Sequence, residues 1–210
     1  MSVSSEESWG ELRLLVEREG GAHEGWEEEL RSFLRLLRIK NKAVNLVSRA
    51  SIDRLVELQV LPSLAGLPLL PVDRSLRVLD IGSGGGFPGI VLRILRPKIR
   101  LDLVEATQKK ARFLEECVRE LGFEDAAVHA CRIETPSHKL LARSGFDIAF
   151  ARAVGQEEAL ASSVKPLLRK GAALWAFSID PRPGEEFRSW DASDGRRLTG
   201  LRRLVSVEVP

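Results

Sequence analysis

The sequence predicts a doubly wound α/β domain with a mostly parallel sheet, preceded by a small helical subdomain. Three observations carry this. From about residue 72, short β-rich runs alternate with helical stretches: RVLDI, GIVLRIL, LDLVEA, KKARFLEECVREL, AAVHA, FDIAFA, EEALASSVKPLLR and AALWAFSI. Strand followed by helix, repeated, is the pattern of a parallel sheet covered on both faces. The stretch LDIGSGGGFPGIVL, residues 79–92, packs five glycines and a proline between the first strand and the first helix. Upstream, the apolar spacing is helical instead.

Taken in order, Trp9 to Glu19 reads as a short helix ended by Gly20 and Gly21. In WEEELRSFLRLLRI, from Trp26 to Ile39, the residues Leu30, Phe33, Leu34 and Leu37 fall at i, i+3, i+4 and i+7, giving one apolar face. Ser51 to Leu61 reads as a third helix, with Ile52, Leu55, Val56 and Val60 on one side. GLPLLPVDRS carries two prolines and reads as a linker. The expected division is therefore a helical subdomain with its linker, 1–71, and an α/β domain, 72–210. The tail PRPGEEFRSWDASDGRRLTGLRRLVSVEV is expected to form a polar loop and then one last strand.

At 210 residues the chain is long enough for one sizeable core. Its 44% hydrophobic and 30% charged residues exclude a disordered chain. No apolar run reaches the ~18 residues of a membrane span. The amino terminus MSVSSEESWGEL is acidic where a signal peptide is basic, so a cytoplasmic location is the expectation, with a monomer as the default. The two cysteines, Cys117 and Cys131, lack the spacing of a metal or redox motif and are expected to be buried apolar groups, with no metal. Net charge is only +2, but it is unevenly spread. Residues 1–30 hold nine glutamates against Arg13 and Arg18, whereas 31–54 hold seven basic residues against Asp53 alone. Clustered basic surface is what a nucleic-acid partner requires, although a solvated helix face has the same composition.

The glycine run occupies the first strand-to-helix turn of the sheet. Glycine there permits positive φ and lets the backbone approach a ligand closely. Gly84, Gly86 and Gly89 spell the G-x-G-x-x-G of nicotinamide and flavin enzymes. Asp80, two residues before Gly82, instead completes D-x-G-x-G-x-G, an arrangement that resembles S-adenosylmethionine-dependent methyltransferases. A carboxylate there suits the methionine end of that cofactor and repels a pyrophosphate. Glu105 ends the second strand 23 residues after Gly82, near the spacing at which an acidic residue accepts ribose hydroxyls.

Five segments then resemble, in order, the glucose-inhibited division protein B family. They are NKAVNLVSRAS (41–51), RVLDIGSGGGFPGIVLRILRP (77–97), VEATQKKARFL (104–114), CRIE (131–134) and FARAV (150–154). The family methylates N7 of one guanine in 16S ribosomal RNA. The resemblance implies a class I, Rossmann-like methyltransferase fold, S-adenosylmethionine as cofactor, and 16S ribosomal RNA or the small ribosomal subunit as partner. It makes Gly82, Ser83, Gly84, Gly86 and Phe87 cofactor-loop residues. It sets Ile133 and Glu134 beside the adenine and Arg152 near both cofactor and guanine, as the candidate catalytic residue. Asn45 is expected to bridge the helical piece to the cofactor loop, and Lys109, Lys110 and Arg112 are candidates for phosphate contact. The chain departs from the family on the substrate side. Gln59 and Pro62 stand where H-x-L-D-S has its histidine and aspartate, and Ser178 and Ile179 replace a lysine-glycine pair.

Guanine N7 carries an exposed lone pair, so its methylation needs alignment but no general base. Near-attack alignment is worth about 7–11 kcal/mol, which a shaped pocket supplies without titrating groups. Trp175 is expected in the core rather than as a stacking platform. Three rivals remain: a cofactor-binding relative with altered or lost RNA activity, a nicotinamide-dependent oxidoreductase, and an RNA-binding module without catalysis. The oxidoreductase lacks an obvious proton donor, since His23, His129 and His138 are the only histidines.

Overall fold

The computed structural model describes residues 3–152, 157–178 and 186–208. Helix α1 (Val3–Arg18) buries Trp9, Leu12, Leu15 and Val16 in an apolar cluster shared with α2 (Trp26–Asn41), whose Leu30, Phe33, Leu34 and Leu37 are buried as their spacing predicts. Gly20 and Gly21, at φ 88° and 74°, turn the chain between the two helices. That conformation strains any residue with a Cβ.

The third helix is not one helix. A four-residue turn, α3 (Arg49–Ile52), is capped by Ser48, whose Oγ accepts from the Ser51 amide at 3.2 Å. The chain then winds as a π-helix over Val56–Val60, a short α4 (Leu61–Ser63) and a 3-10 turn over Leu64–Leu69. Pro62 bears on the change of winding within 56–69, because it has no N–H to donate to the Leu58 carbonyl four residues back, whereas the break after Ile52 lies upstream of it. The first part of the proline-bearing linker is likewise structured: Leu67 and Leu70 are buried at about 1% exposure.

The sheet begins with β1 (Arg77–Ile81) and continues through α5 (Gly89–Leu95), β2 (Arg100–Val104), α6 (Gln108–Glu120) and β3 (Ala126–His129). After a four-residue α7 (His138–Leu141) come β4 (Phe146–Arg152), α8 (Glu157–Val164) and β5 (Leu168–Ser178). Two further strands, β6 (Phe187–Asp191) and β7 (Arg197–Ser206), correct the expected loop and single strand of the tail. Phe187 lies over Gly200 of β7, where a Cβ would collide with its ring. Strand order is β3-β2-β1-β4-β5-β7-β6, parallel through β5, with β7 antiparallel to both neighbours.

Strand alternation divides the core. Val78, Leu101, Leu103, Ile148, Phe150 and Trp175 face a cluster continuous with α1, α2, α5 and α6. Leu79, Ile81, Val104, Ala149 and Leu174 face α7 and α8. Trp175 is therefore a core residue, 4% exposed. Cys117 is buried and its thiol is pushed well above the usual range by that burial, whereas Cys131 is half-buried.

Candidate functional site

Because β1 pairs with both β2 and β4 in parallel, their carboxyl ends converge. Asp80 lies opposite Leu103 on one side and Phe150 on the other, so Glu105 and Arg152, each just beyond those partners, flank it. Asp80 is fully buried. Its Oδ2 accepts from the Gly89 amide at 3.0 Å, while Oδ1 has no hydrogen-bond partner among the described residues. Burial pushes its pKa up to about 7, against the Gly89 amide, the Ser83 hydroxyl and the charge of Arg152, which pull it down.

The turn after β1 is held by its own backbone. The amides of Gly82 and Ser83 both donate to the Val104 carbonyl, at 2.9 and 3.1 Å, and Ser83 Oγ donates to the Asp80 carbonyl at 2.9 Å. Gly82, Gly84 and Gly86 sit at φ 71°, 53° and 90°. Gly82 is exposed and Gly84 half-buried, so these two form the open rim. Gly89 needs its missing Cβ for a different reason, since that atom would lie 2.6 Å from Asp80 Oδ2 and 2.8 Å from Leu103 Cδ2. Phe87 turns inward: it is 5% exposed, with its ring 5.4 Å from that of Phe33. Only its backbone belongs to the turn.

Glu105 closes the other side. Its Oε2 accepts from the Gly84 amide at 3.0 Å and its Oε1 from the Thr107 amide at 2.7 Å, so one carboxylate clamps both loops. The Glu105 amide donates to the His129 carbonyl, bringing the loop after β3 alongside. On that loop Ile133 is buried with Ile81 and Val104, while Glu134 is exposed and caps nothing. Ser137 is the cap of the next helix, accepting from the Leu140 amide.

Arg152 ends β4 with its guanidinium mostly enclosed, and that burial lowers its pKa. One nitrogen, Nη2, donates to the Leu58 carbonyl at 3.0 Å, and Nη1 is buried without a partner among the described residues. Arg152 thus ties the end of β4 to the π-helical turn of residues 56–60. Pro62 itself is buried, and the Gln59 carbonyl accepts from Ser63 Oγ at 2.6 Å.

Asn45 does not bridge: it is exposed, with no hydrogen bond among the described residues. Asn41 does that work, its Oδ1 accepting from the amides of Leu46 and Val47 at 2.8 and 2.9 Å. The loop so shaped meets Gly85, where an added Cβ would lie 3.3 Å from the Leu46 carbonyl. An asparagine at the very end of a helical period was the available signal. Lys109 and Arg112 are exposed on α6, on the rim beyond Glu105, and Lys110 is half-buried. Ala153, Val154 and Ile179 lie outside the described residues, and Ser178 ends β5.

Comparison with known proteins gives the family. The profile of the GidB family, described as rRNA small subunit methyltransferase G, matches residues 26–178. A ribosomal RNA small subunit methyltransferase G of Symbiobacterium thermophilum is 35% identical over 90% of this chain and 78% of its own. One from Rubrobacter xylanophilus is 39% identical over 72% of this chain and 57% of its own. One from Deinococcus radiodurans is 35% identical over 87% and 70%. Among solved structures, a mutant of MtNAS superposes with a TM-score of 0.54 at 15% identity, covering 88% of this chain and 74% of that one. The StiE O-MT superposes at 0.51 with 18% identity, covering 73% and 52%. These two likenesses concern the fold. The match across most of the chain, with the glycine turn and strand-end carboxylates in place, means that the chain belongs to the rRNA small subunit methyltransferase G family.

Proposed function

We propose that the chain transfers the methyl group of S-adenosylmethionine to N7 of a guanine in 16S ribosomal RNA. The observation that carries the reading is Asp80 Oδ1, a fully buried carboxylate oxygen with no partner among the described residues, behind a glycine turn that is open at Gly82. An unpaired buried acceptor is costly unless a ligand donor meets it. The ammonium group of a methionine moiety is such a donor. A dinucleotide pyrophosphate is not, because Asp80 and Glu105 present two acids to the turn.

In this reading Asp80, Gly82, Ser83, Gly84, Gly86 and the Phe87 backbone hold the methionine end. Glu105, Ile133 and Glu134 hold the adenosine. Both Glu105 oxygens already accept one backbone amide, and each keeps a second lone pair for a ribose hydroxyl. When bound, the sulfonium supplies an electrophilic methyl group. The chain itself moves no proton, since N7 attacks through a free lone pair. Its residues exclude water and align: Arg152 fixes one nitrogen on the Leu58 carbonyl and keeps Nη1 as a donor for the incoming base edge. Partner readout of an unstacked base by edge hydrogen bonds and a guanidinium plane is the usual mode for RNA.

A second reading, a relative that binds the cofactor but has altered or lost RNA activity, draws on Gln59 and Pro62 in the segment next to Arg152. Calorimetric titration with S-adenosylmethionine and with NAD, followed by transfer of a labelled methyl group to 16S ribosomal RNA, separates these. Binding of the methyl donor alone with transfer supports the main reading. Binding without transfer supports the second, and no methyl-donor binding overturns both.

A further inference from the structure

Away from the carboxyl edge of the sheet, a cleft of about 450 Å³ opens between α1, α2 and residues 53–57. Arg31, Arg35 and Arg38 line one wall from a single face of α2, and Arg54 stands on the other wall. The wall also carries Asp53 and Glu57, leaving an excess of positive charge. The floor is apolar and closed by Trp9, with the Arg31 guanidinium 3.8 Å from its ring centroid. Ile39, 58% exposed, sits at the rim.

The cations are lightly held. Arg35 lies 3.6 Å from Glu28, both side chains largely open to water, and Arg31 lies 3.7 Å from Glu27, both half-buried; Arg38 has no ion-pair partner among the described residues. Exposed pairs of this length contribute little and exchange readily for another anion. Only Arg54 is tightly paired, with Glu57 at 2.5 Å. A merely solvated helix face has no reason to form one wall of a concave cleft; the opposite wall sets Arg54 beside Asp53 and Glu57, so the excess positive charge belongs to the α2 wall. The cleft is also next to the reaction site through the chain itself. Glu57 lines it, and the carbonyl of the following residue, Leu58, is the one that Arg152 holds.

We propose that this cleft seats the phosphodiester backbone of the RNA strand flanking the base presented at the carboxyl edge of the sheet. The inference rests on the methyltransferase reading above and adds to it a docking surface. Phosphates exchange for the weak acid partners of Arg31 and Arg35, Arg38 takes one outright, and Ile39 contacts the sugar. Each arginine that neutralises a phosphate on a single strand contributes about 0.7 to the slope of log affinity against log salt.

The test is fluorescence anisotropy of a labelled single-stranded oligoribonucleotide carrying 16S sequence, titrated with the full chain at about 50–200 mM salt. It is run alongside methyl transfer to 16S ribosomal RNA. For the double variant Arg35→Ala, Arg38→Ala, both at exposed positions, RNA affinity should fall about tenfold and the salt slope by about 1.4. KM for RNA should rise with kcat and S-adenosylmethionine affinity unchanged, and the melting temperature should stay at the wild-type value. Arg35→Lys with Arg38→Lys should restore the slope, and Arg100→Ala, exposed at the opposite end of β2, should leave it alone. A wild-type slope and KM in the alanine variant, from a chain that methylates RNA, overturns the cleft. Competition by millimolar inorganic phosphate as strong as that by RNA overturns it too, in favour of a small-anion site. A wild-type chain that binds no methyl donor overturns the methyltransferase reading instead, whatever the arginines do.

Discussion

Asp80 sets a conflict between stability and function. A carboxyl group titrates at 3.8 when free and at about 7 here, so between those values the folded chain keeps a proton that the unfolded chain has released. Stability contributed by the protonated group is therefore fully present below about pH 4 and is lost as pH rises to 7 and above. The loss is on the order of 4 kcal/mol. Asp80→Asn keeps an acceptor for the Gly89 amide and cannot ionise. Its melting temperature should exceed wild type by several degrees at pH 8 and match it near pH 4, while S-adenosylmethionine affinity collapses. Equal melting curves at both pH values would show that Asp80 is not the buried acid described. For the wild type, methyl-donor affinity should rise with pH through 7, because only the ionised carboxylate receives the ammonium. Arg152 makes a different demand. Its fork serves two directions, Leu58 and the site, and a lysine ammonium serves only one. Arg152→Lys should lower kcat about 30-fold, the worth of one charged hydrogen bond of about 2 kcal/mol, with little change in cofactor affinity. An unchanged kcat would remove Arg152 from base alignment. Both residues were legible as strand-end charges, but the unpaired atoms that give them their meaning are a property of packing and leave no trace in spacing.

At the scale of elements, legibility followed periodicity. The 3.6-residue period of α2 and the GIVLRIL run between a strand and the next gave α2 and α5 nearly to the residue. The segment 51–61 was misread because Ile52, Leu55, Val56 and Val60 do lie on one helical face, yet the chain breaks after Ile52 and then winds as π, α and 3-10 turns over 56–69, with Pro62, which has no N–H, at the change from π to tighter winding. β6 was invisible because its burial does not alternate: of FRSWD only Trp190 is buried, and the strand is held by pairing with β7 rather than by an apolar face. Close approach was also partly hidden. A run of glycines announces positive φ, yet Gly89 has an ordinary helical conformation and is glycine because α5 begins against Asp80. Gly89→Ala should therefore drive Asp80 Oδ2 or Leu103 aside, destabilise the fold by about 1–3 kcal/mol, and weaken S-adenosylmethionine more than tenfold in calorimetry. Normal cofactor affinity in this variant would mean that the placement of Asp80 is not tuned by α5.

In the whole molecule, the helical amino-terminal piece and the sheet share one apolar cluster, running from Trp9 and Phe33 through Phe87 to Phe150. That continuity fixes α1 and the basic half of α2 on the body that carries the site, with the arginine-lined cleft between them. The link is reinforced by one buried cation, Arg96, at the end of α5. Its Nε donates to the Leu70 carbonyl at 2.9 Å, Nη1 to Gly21 and Leu95 at 2.8 and 3.0 Å, and Nη2 to Glu19 at 2.6 Å. The α1–α2 turn, the 3-10 segment and the sheet helix are thereby tied at a point. In the sequence Arg96 is one arginine among many, in LRP before a loop, and nothing in its neighbourhood marks it as buried. Arg96→Met fills similar volume but leaves the Glu19, Gly21 and Leu70 carbonyls without this donor. The cost should be on the order of 3 kcal/mol, read as a fall in melting temperature of roughly 6–12 °C. Hydrogen exchange should locate it: in the variant, amides of α1 should exchange well ahead of those of β1 and β4, whereas in the wild type the helices and sheet should open together. If α1 stays as protected as the central strands in Arg96→Met, the shared apolar cluster alone couples the two parts, and Arg96 only satisfies its local carbonyls.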